Sequence, residues 1–190
     1  SLEAQLCNLA DEIAYNAHDI DDGVRSGLIS VAQLEEVPLF DDFRREALRE
    51  HPTLTGRRVL YESIRRMLSA QVYDVIAASS AAFAQHRPRS ADEARAAPPL
   101  VGFGPAMVEA SQALKRFLLR NLYRHPQVNE ITAQAQAMVR QLFEAYQQAP
   151  GEMAGGFAEQ AQAKLASEGV AAQARVVADY IAGMTDRFAS

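Results

Sequence analysis

Three side chains near the start of the chain have types and a spacing that could bind a ligand. Asp11, Tyr15 and Asp19 stand four residues apart in the segment NLADEIAYNAHDID. If this segment is an α-helix, steps of about 100° per residue bring the three side chains to within about 80° of one another. Carboxylates bind cations and accept hydrogen bonds, and a phenol ring between them offers the flat surface that a sugar requires. The spacing therefore predicts one face able to hold a cation and a sugar.

The charges on this face favour a bound cation. Asp22 points to the same side as Asp11 and Asp19, and no lysine or arginine stands at the i+4 positions that would relieve the repulsion. A solvated polar surface is the alternative reading of the same residues, and both stay open at this point. The adjacent pair His18 and Asp19 is not expected to chelate a metal, because neighbouring helical residues diverge by about 100°.

The side opposite the acidic residues is apolar, which predicts a long amphipathic helix from about Leu2 to Gly27. Its apolar residues recur every three or four positions: Leu2, Leu6, Leu9, Ile13, Ala17, Ile20 and Val24.

The rest of the chain also follows helical periodicity, without strand alternation flanked by hairpin turns. The sequence therefore predicts an all-α, multi-helix bundle. The expected boundaries are a helix from Phe40 to Arg49, a long helix from Thr55 or Gly56 to Arg87-Pro88, one helical turn after Ser90, a helix start at Pro105, and breaks at His125-Pro126 and Gly169.

Composition restricts the class of protein. The 190 residues are 48% hydrophobic and 23% charged, which is typical of a globular domain. One cysteine excludes an internal disulfide framework, and the chain opens without a basic and apolar leader, so we expect a cytoplasmic protein. No apolar run is long enough to span a membrane. The net charge of −5 leaves nucleic-acid binding unsupported.

Three segments together carry a resemblance to a known family. The segments are SLEAQLCNLADEIAYNAHDIDDGVRSGLI at 1–29, LKRFLLRNLYRHPQV at 114–128 and RVVADYIAGMTDRFA at 175–189. They resemble bacterial deoxyguanosinetriphosphate triphosphohydrolase-like proteins of the HD superfamily, and the order of the intervening helices agrees. The resemblance implies an enzyme that splits a deoxynucleoside triphosphate into deoxynucleoside and triphosphate.

The resemblance also implies roles for the three residues of the first helix. In that family an upstream histidine, a His-Asp pair and a late aspartate bind one divalent metal such as Mg²⁺ or Mn²⁺, and Asp11 matches the late aspartate. Tyr15 matches the tyrosine that packs on the deoxyribose. Asp19 matches the acid that accepts a hydrogen bond from the 3′-hydroxyl.

The match covers only the C-terminal portion of such an enzyme, because no histidine and no His-Asp pair precede Asp11, and His18-Asp19 belongs to the late motif. We therefore expect this portion to be inactive alone, with a weak metal site or none. We expect residues 1–190 to form a single all-helical unit, in which 1–87 complete the HD-type active-site region and 88–190 form a C-terminal helical subdomain. The resemblance further implies a homo-oligomer.

Arginines on the long helix that starts at Thr55 or Gly56 could bind the phosphates of such a substrate. Arg65 and Arg66 are our candidates, because a guanidinium group pairs well with phosphate oxygens. Glu62 stands close to both, so a surface ion-pair ladder is the competing interpretation.

A non-catalytic role is the alternative function. The same helices could form an oligomerisation or nucleotide-binding module whose acidic face is merely exposed.

Overall fold

The computed structural model describes residues 1–189. Every element of regular secondary structure among them is a helix. The helices are α1 (Leu2–Arg25), α2 (Val31–Leu34), α3 (Pro38–Glu50), α4 (Arg57–His86), α5 (Ala91–Ala96), α6 (Pro105–Leu118), α7 (Pro126–Gln148), α8 (Phe157–Glu168), α9 (Val170–Ala182) and α10 (Asp186–Ala189). A π-helical turn at Leu119–Tyr123 and a 3₁₀ turn at Pro150–Glu152 complete the list. The predicted all-α class is confirmed.

Helix α1 has the length that its apolar periodicity predicts. The Ser1 hydroxyl accepts a hydrogen bond from the Ala4 amide at 3.2 Å, which caps the first turn. At the other end the Ser26 amide donates to the Asp22 carbonyl at 2.8 Å, and Gly27 follows with φ +77°. Glycine is suited to that left-handed conformation, so the helix ends where expected.

Proline and glycine set most of the other boundaries. Pro38, Pro105 and Pro126 each open a helix, where proline's missing amide costs no intrahelical bond. Helix α4 starts after Gly56 and ends before Arg87, which has φ +44° and precedes Pro88. The predicted boundaries at Gly56, Arg87-Pro88, Pro105 and His125-Pro126 are confirmed, whereas α3 begins two residues before the predicted Phe40. The short helix α2 and the π-helical turn were not predicted.

By its contacts the chain divides into two compact units, 1–125 and 126–190. This division by contacts lies after His125. The predicted division into an active-site region at 1–87 and a C-terminal subdomain at 88–190 concerns function and stays a prediction.

The first unit is built around one apolar core that includes the buried face of α1. Ile20 of α1, Phe40 of α3 and Met67 of α4 are fully enclosed. Other buried members are Ile29, Leu34, Val37, Leu39, Leu60, Leu114, Phe117 and Leu118. Because these residues hold α1 by its apolar side, the acidic side faces outward.

The second unit has a smaller core between α7, α8 and α9. Met153, Ala161, Val176 and Val177 are buried there. The Tyr146 and Tyr180 rings meet edge to face with centroids 5.1 Å apart.

None of the described helices is both long enough and apolar enough to cross a membrane.

Candidate functional site

The acidic face of α1 lies where its sequence periodicity places it. Helix α1 is continuous, so Asp11, Tyr15 and Asp19 occupy successive turns of one side. Asp11 is exposed, the Tyr15 side chain is 60% exposed, and Asp19 is half-buried. The ring of Tyr15 is therefore a large aromatic surface that the described chain leaves open, with a carboxylate one turn to either side.

Tyr123, at the end of the π-helical turn, belongs to this face although it is distant in sequence. Its hydroxyl donates a hydrogen bond to Oδ2 of Asp19. The hydrogen bond to the carboxylate, together with partial burial, raises the pKa of Tyr123 to about 12. The phenol therefore stays protonated and remains a donor throughout the physiological range.

Sequence reasoning missed Tyr123. Helical periodicity follows the apolar residues of α6 through Leu118 to Leu122, and a tyrosine directly after them carries no periodic signal. The π-helical turn at Leu119–Tyr123 changes the register at this point, which an assumption of regular α-helix cannot anticipate.

Glu12 fixes α1 against α6 beside the face. One carboxylate oxygen accepts a hydrogen bond from the Ser111 hydroxyl at 3.2 Å, and the other pairs with the Lys115 ammonium at 2.8 Å. Ser111 is buried, so the contact with Glu12 also satisfies its hydroxyl. These contacts keep α1 in register with the helix that leads to Tyr123.

The other flank of α1 faces α4 across a small groove. A cavity of about 280 Å³ is lined by Ala14, Ala17, His18, Asp21, Tyr61, Ile64 and Leu68. The Arg57 guanidinium lies 5.3 Å from the centre of the Tyr61 ring and 3.9 Å from Oδ1 of Asp21. His18 and Asp21 therefore lie on the α4 side of the helix, whereas Asp19 meets Tyr123 on the α6 side.

The predicted phosphate ligands Arg65 and Arg66 are engaged by carboxylates. Arg66, whose side chain is 12% exposed, contacts Glu62 at 2.7 Å, Glu46 at 3.0 Å and Glu50 at 2.5 Å. Arg65 is more exposed and also pairs with Glu62, at 2.7 Å. The ion pairs join α3 to α4, and the role of the two arginines in phosphate binding stays a prediction.

Glu62 links Arg65 and Arg66 within this ion-pair network. Hydrogen bonds from Arg65 and Arg66 lower its pKa from 4.5 to about 2. The same contacts with Glu50 and Glu62 raise the pKa of Arg66.

We expect Glu62 to stabilise the first unit above pH 4.5 and to lose this effect as the pH falls toward 2. The unfolded chain takes up the proton first, since its pKa is the higher one. Thermal unfolding of the wild type and of Glu62→Gln should therefore show a wild-type advantage in Tm that shrinks across this interval. The Glu36→Gln variant is the control, because Glu36 is exposed and makes no ion pair within residues 1–189. An advantage that stays constant down to pH 2 would contradict the assignment.

Residues 1–189 contain no group of three or more His, Cys, Asp or Glu side chains close enough to hold a metal ion. Asp11 offers a carboxylate of the type that divalent cations prefer, but a single carboxylate binds such ions weakly. A metal at Asp11 needs further ligands from outside these residues.

The comparisons with known proteins agree with one another. The profile of the phosphohydrolase-associated domain matches residues 101–190. The whole chain is 48% identical to a deoxyguanosinetriphosphate triphosphohydrolase-like protein of Bordetella pertussis and covers 47% of that protein. A protein of the same name from Ralstonia nicotianae is 49% identical over 189 residues, again with 47% covered, and one from Thiobacillus denitrificans is 46% identical with 48% covered.

The chain thus spans about half the length of the curated relatives it matches, and the similarity extends over all of its own length. Over that half, the chain is similar to deoxyguanosinetriphosphate triphosphohydrolase-like proteins, and its residues 101–190 match the phosphohydrolase-associated domain.

Proposed function

We propose that this chain is the C-terminal part of a metal-dependent hydrolase that splits deoxynucleoside triphosphates into deoxynucleoside and triphosphate. The observation that carries the proposal is the face of α1, on which Asp11, Tyr15 and Asp19 occupy successive turns and Tyr123 holds Asp19. The relatives are named deoxyguanosinetriphosphate triphosphohydrolase-like proteins, which supports the same reaction.

The proposed roles follow the order of the residues along α1. Asp11 would provide one ligand of the metal. The open ring of Tyr15 supports the apolar face of the deoxyribose. Asp19, one turn further, accepts a hydrogen bond from the 3′-hydroxyl, and a hydrogen bond to a charged group contributes about 1.5–3 kcal/mol.

Asp19 is prepared for this role by Tyr123. The phenol hydroxyl donates to Oδ2, which leaves Oδ1 as the second acceptor oxygen of the carboxylate. A carboxylate has lone pairs for several donors, so Oδ1 is available to a sugar hydroxyl while Tyr123 keeps the group oriented.

The metal would supply polarisation of the α-phosphate and a more acidic water. Asp11 fits as one oxygen ligand, and the other ligands would come from the remaining half of the protein. Arg65 or Arg66 would contact the phosphates, which requires that one of them leave part of its carboxylate network. We also propose that the whole protein is a homo-oligomer, which light scattering would test.

The proposal is tested by incubating a complete protein that contains this chain with dGTP and Mn²⁺. We expect deoxyguanosine and inorganic triphosphate as products, which shows cleavage at the α-phosphorus. The 190-residue chain alone is expected to give no turnover. Release of pyrophosphate or of single phosphates would point to another phosphohydrolase, and nucleotide binding without hydrolysis would support the alternative of a non-catalytic binding module.

Replacing Asp19 with asparagine in the complete protein should lower kcat/KM for dGTP about 10- to 100-fold, because the amide is a weaker acceptor for the 3′-hydroxyl. With 2′,3′-dideoxyguanosine triphosphate, which lacks that hydroxyl, wild type and variant should differ little. The matched control is Asp22→Asn on the same helix, where the carboxylate is exposed. An equal loss with both nucleotides would show that Asp19 does not contact the 3′-position.

A further inference from the structure

The turn between α6 and Tyr123 departs from regular helix. Residues Leu119–Tyr123 form a π-helix, and the Arg124 amide donates to the Leu119 carbonyl at 3.0 Å, an i→i+5 bond. Such a turn holds one residue more than an α-helical turn and often lies at functional sites. Here it directly precedes the contact between Tyr123 and Asp19.

The direction of α1 as seen from α6 is known from two contacts. Ser111 and Lys115 both reach Glu12 of α1. With Leu114 as the reference, helical steps of about 100° place Ser111 at about 60° and Lys115 at about 100°. Helix α1 therefore lies at about 80° around the axis of α6.

An unbroken α-helix would turn Tyr123 away from α1. Continued steps of about 100° from Leu114 would place Tyr123 at about 180°, opposite the buried face, and Leu122 at about 80°. One additional residue in a turn sets every later side chain back by about 100°. Tyr123 then lies at about 80°, toward α1, and Leu122 at about −20°. In that direction Leu122 packs against the core.

We propose that the π-helical turn Leu119–Tyr123 is the positioning element that directs Tyr123 to Asp19 while it keeps Leu122 in the core. The inference rests on the proposed function only for the ligand that Asp19 receives, since the contact itself forms without ligand. With five residues in this π-helical turn, the Tyr123 side chain takes the same direction around the helix axis that it would take after a regular α-helical turn of four residues.

Two changes of length in the 190-residue chain test this register. Deletion of Arg120 leaves four residues, so the helix becomes regular and Tyr123 stays at about 80°. Insertion of one alanine after Arg120 moves Tyr123 by about 100°, away from Asp19. Arg120 is exposed and has no ion pair within residues 1–189, so Arg120→Ala is the control that changes the side chain but not the length.

The measurement is the ¹³C NMR titration of the tyrosine rings, with the Tyr123 signal assigned from Tyr123→Phe. We expect Tyr123 to titrate with a pKa of about 12 in the wild type, and near this value in the control and the deletion variant. In the insertion variant the pKa should fall to the ordinary tyrosine value of about 10.

The inference would be overturned if the raised pKa of Tyr123 were lost in the deletion variant. It would also be overturned if the raised pKa persisted in the insertion variant. Failure of both variants to fold would show that the turn serves helix packing alone, and this too would overturn it.

Turnover by the complete protein separates this inference from the proposed function. If the insertion lowers the pKa of Tyr123 but leaves KM for dGTP unchanged, the π-helical turn does position Tyr123, and the proposed role of Asp19 in substrate binding is wrong. If KM rises several-fold with the insertion and not with the deletion, both hold.

Discussion

Replacing Asp11 with asparagine in a complete protein is expected to lower kcat about 1000-fold and to leave the fold unchanged. The substitution exchanges the carboxylate that we propose as a metal ligand for a neutral amide of the same size. A catalytic metal contributes several kcal/mol of transition-state stabilisation, and a factor of ten in rate corresponds to about 1.4 kcal/mol. Asp11 is exposed within residues 1–189, so its loss removes no core contact and should leave Tm nearly unchanged.

Asp22→Asn is the matched control for this experiment. Asp22 lies on the same side of α1, is exposed, and is 3.8 Å from the Arg25 guanidinium. We expect normal turnover and normal metal content in this variant, and reduced metal content in Asp11→Asn as measured by atomic emission. Equal turnover in the two variants would indicate that the acidic face of α1 is merely a solvent-exposed surface. That result would favour the non-catalytic alternative.

Truncation of Phe40 to alanine is expected to lower the free energy of unfolding of the first unit by about 3–5 kcal/mol. Phe40 is fully enclosed in the core that also contains Ile20 of α1 and Leu114 of α6. Removing the ring leaves a cavity between the helices that carry the candidate site. Urea denaturation followed by circular dichroism measures the change.

The control for Phe40 is Tyr73→Ala, an aromatic truncation on α4 in the same unit. The Tyr73 side chain is 72% exposed, so we expect a change within about 0.5 kcal/mol. Comparable losses in the two variants would mean that Phe40 is not part of the stabilising core.

The sequence predicts the face of α1 because a single physical rule determines it. A helix that packs by one side must repeat its apolar residues every three or four positions. The residues Leu9, Ile13, Ala17 and Ile20 do so. Once the buried side is known, the direction of Asp11 and Asp19 follows from helix geometry alone. The same rule, together with proline and glycine, predicts most helix boundaries.

Partners that come from distant parts of the chain follow no such rule. Arg66 meets Glu46 and Glu50 because α3 and α4 pack together, and spacing along α4 reveals only its local neighbour Glu62. Tyr123 reaches Asp19 across 104 positions in sequence, through a turn that breaks helical periodicity. These contacts depend on tertiary packing and on backbone register, and neither is expressed in a local pattern of residue types.

The way in which Asp19 is held has a thermodynamic consequence for ligand binding. The hydrogen bond from Tyr123 orients its carboxylate before the proposed nucleotide binds, so less rotamer entropy remains to be lost on association. Affinity at this position should therefore follow the local rigidity of residues that never touch the ligand. A substitution that loosens the polypeptide around residue 119 would weaken binding from a distance, and hydrogen exchange there should correlate with nucleotide affinity across variants.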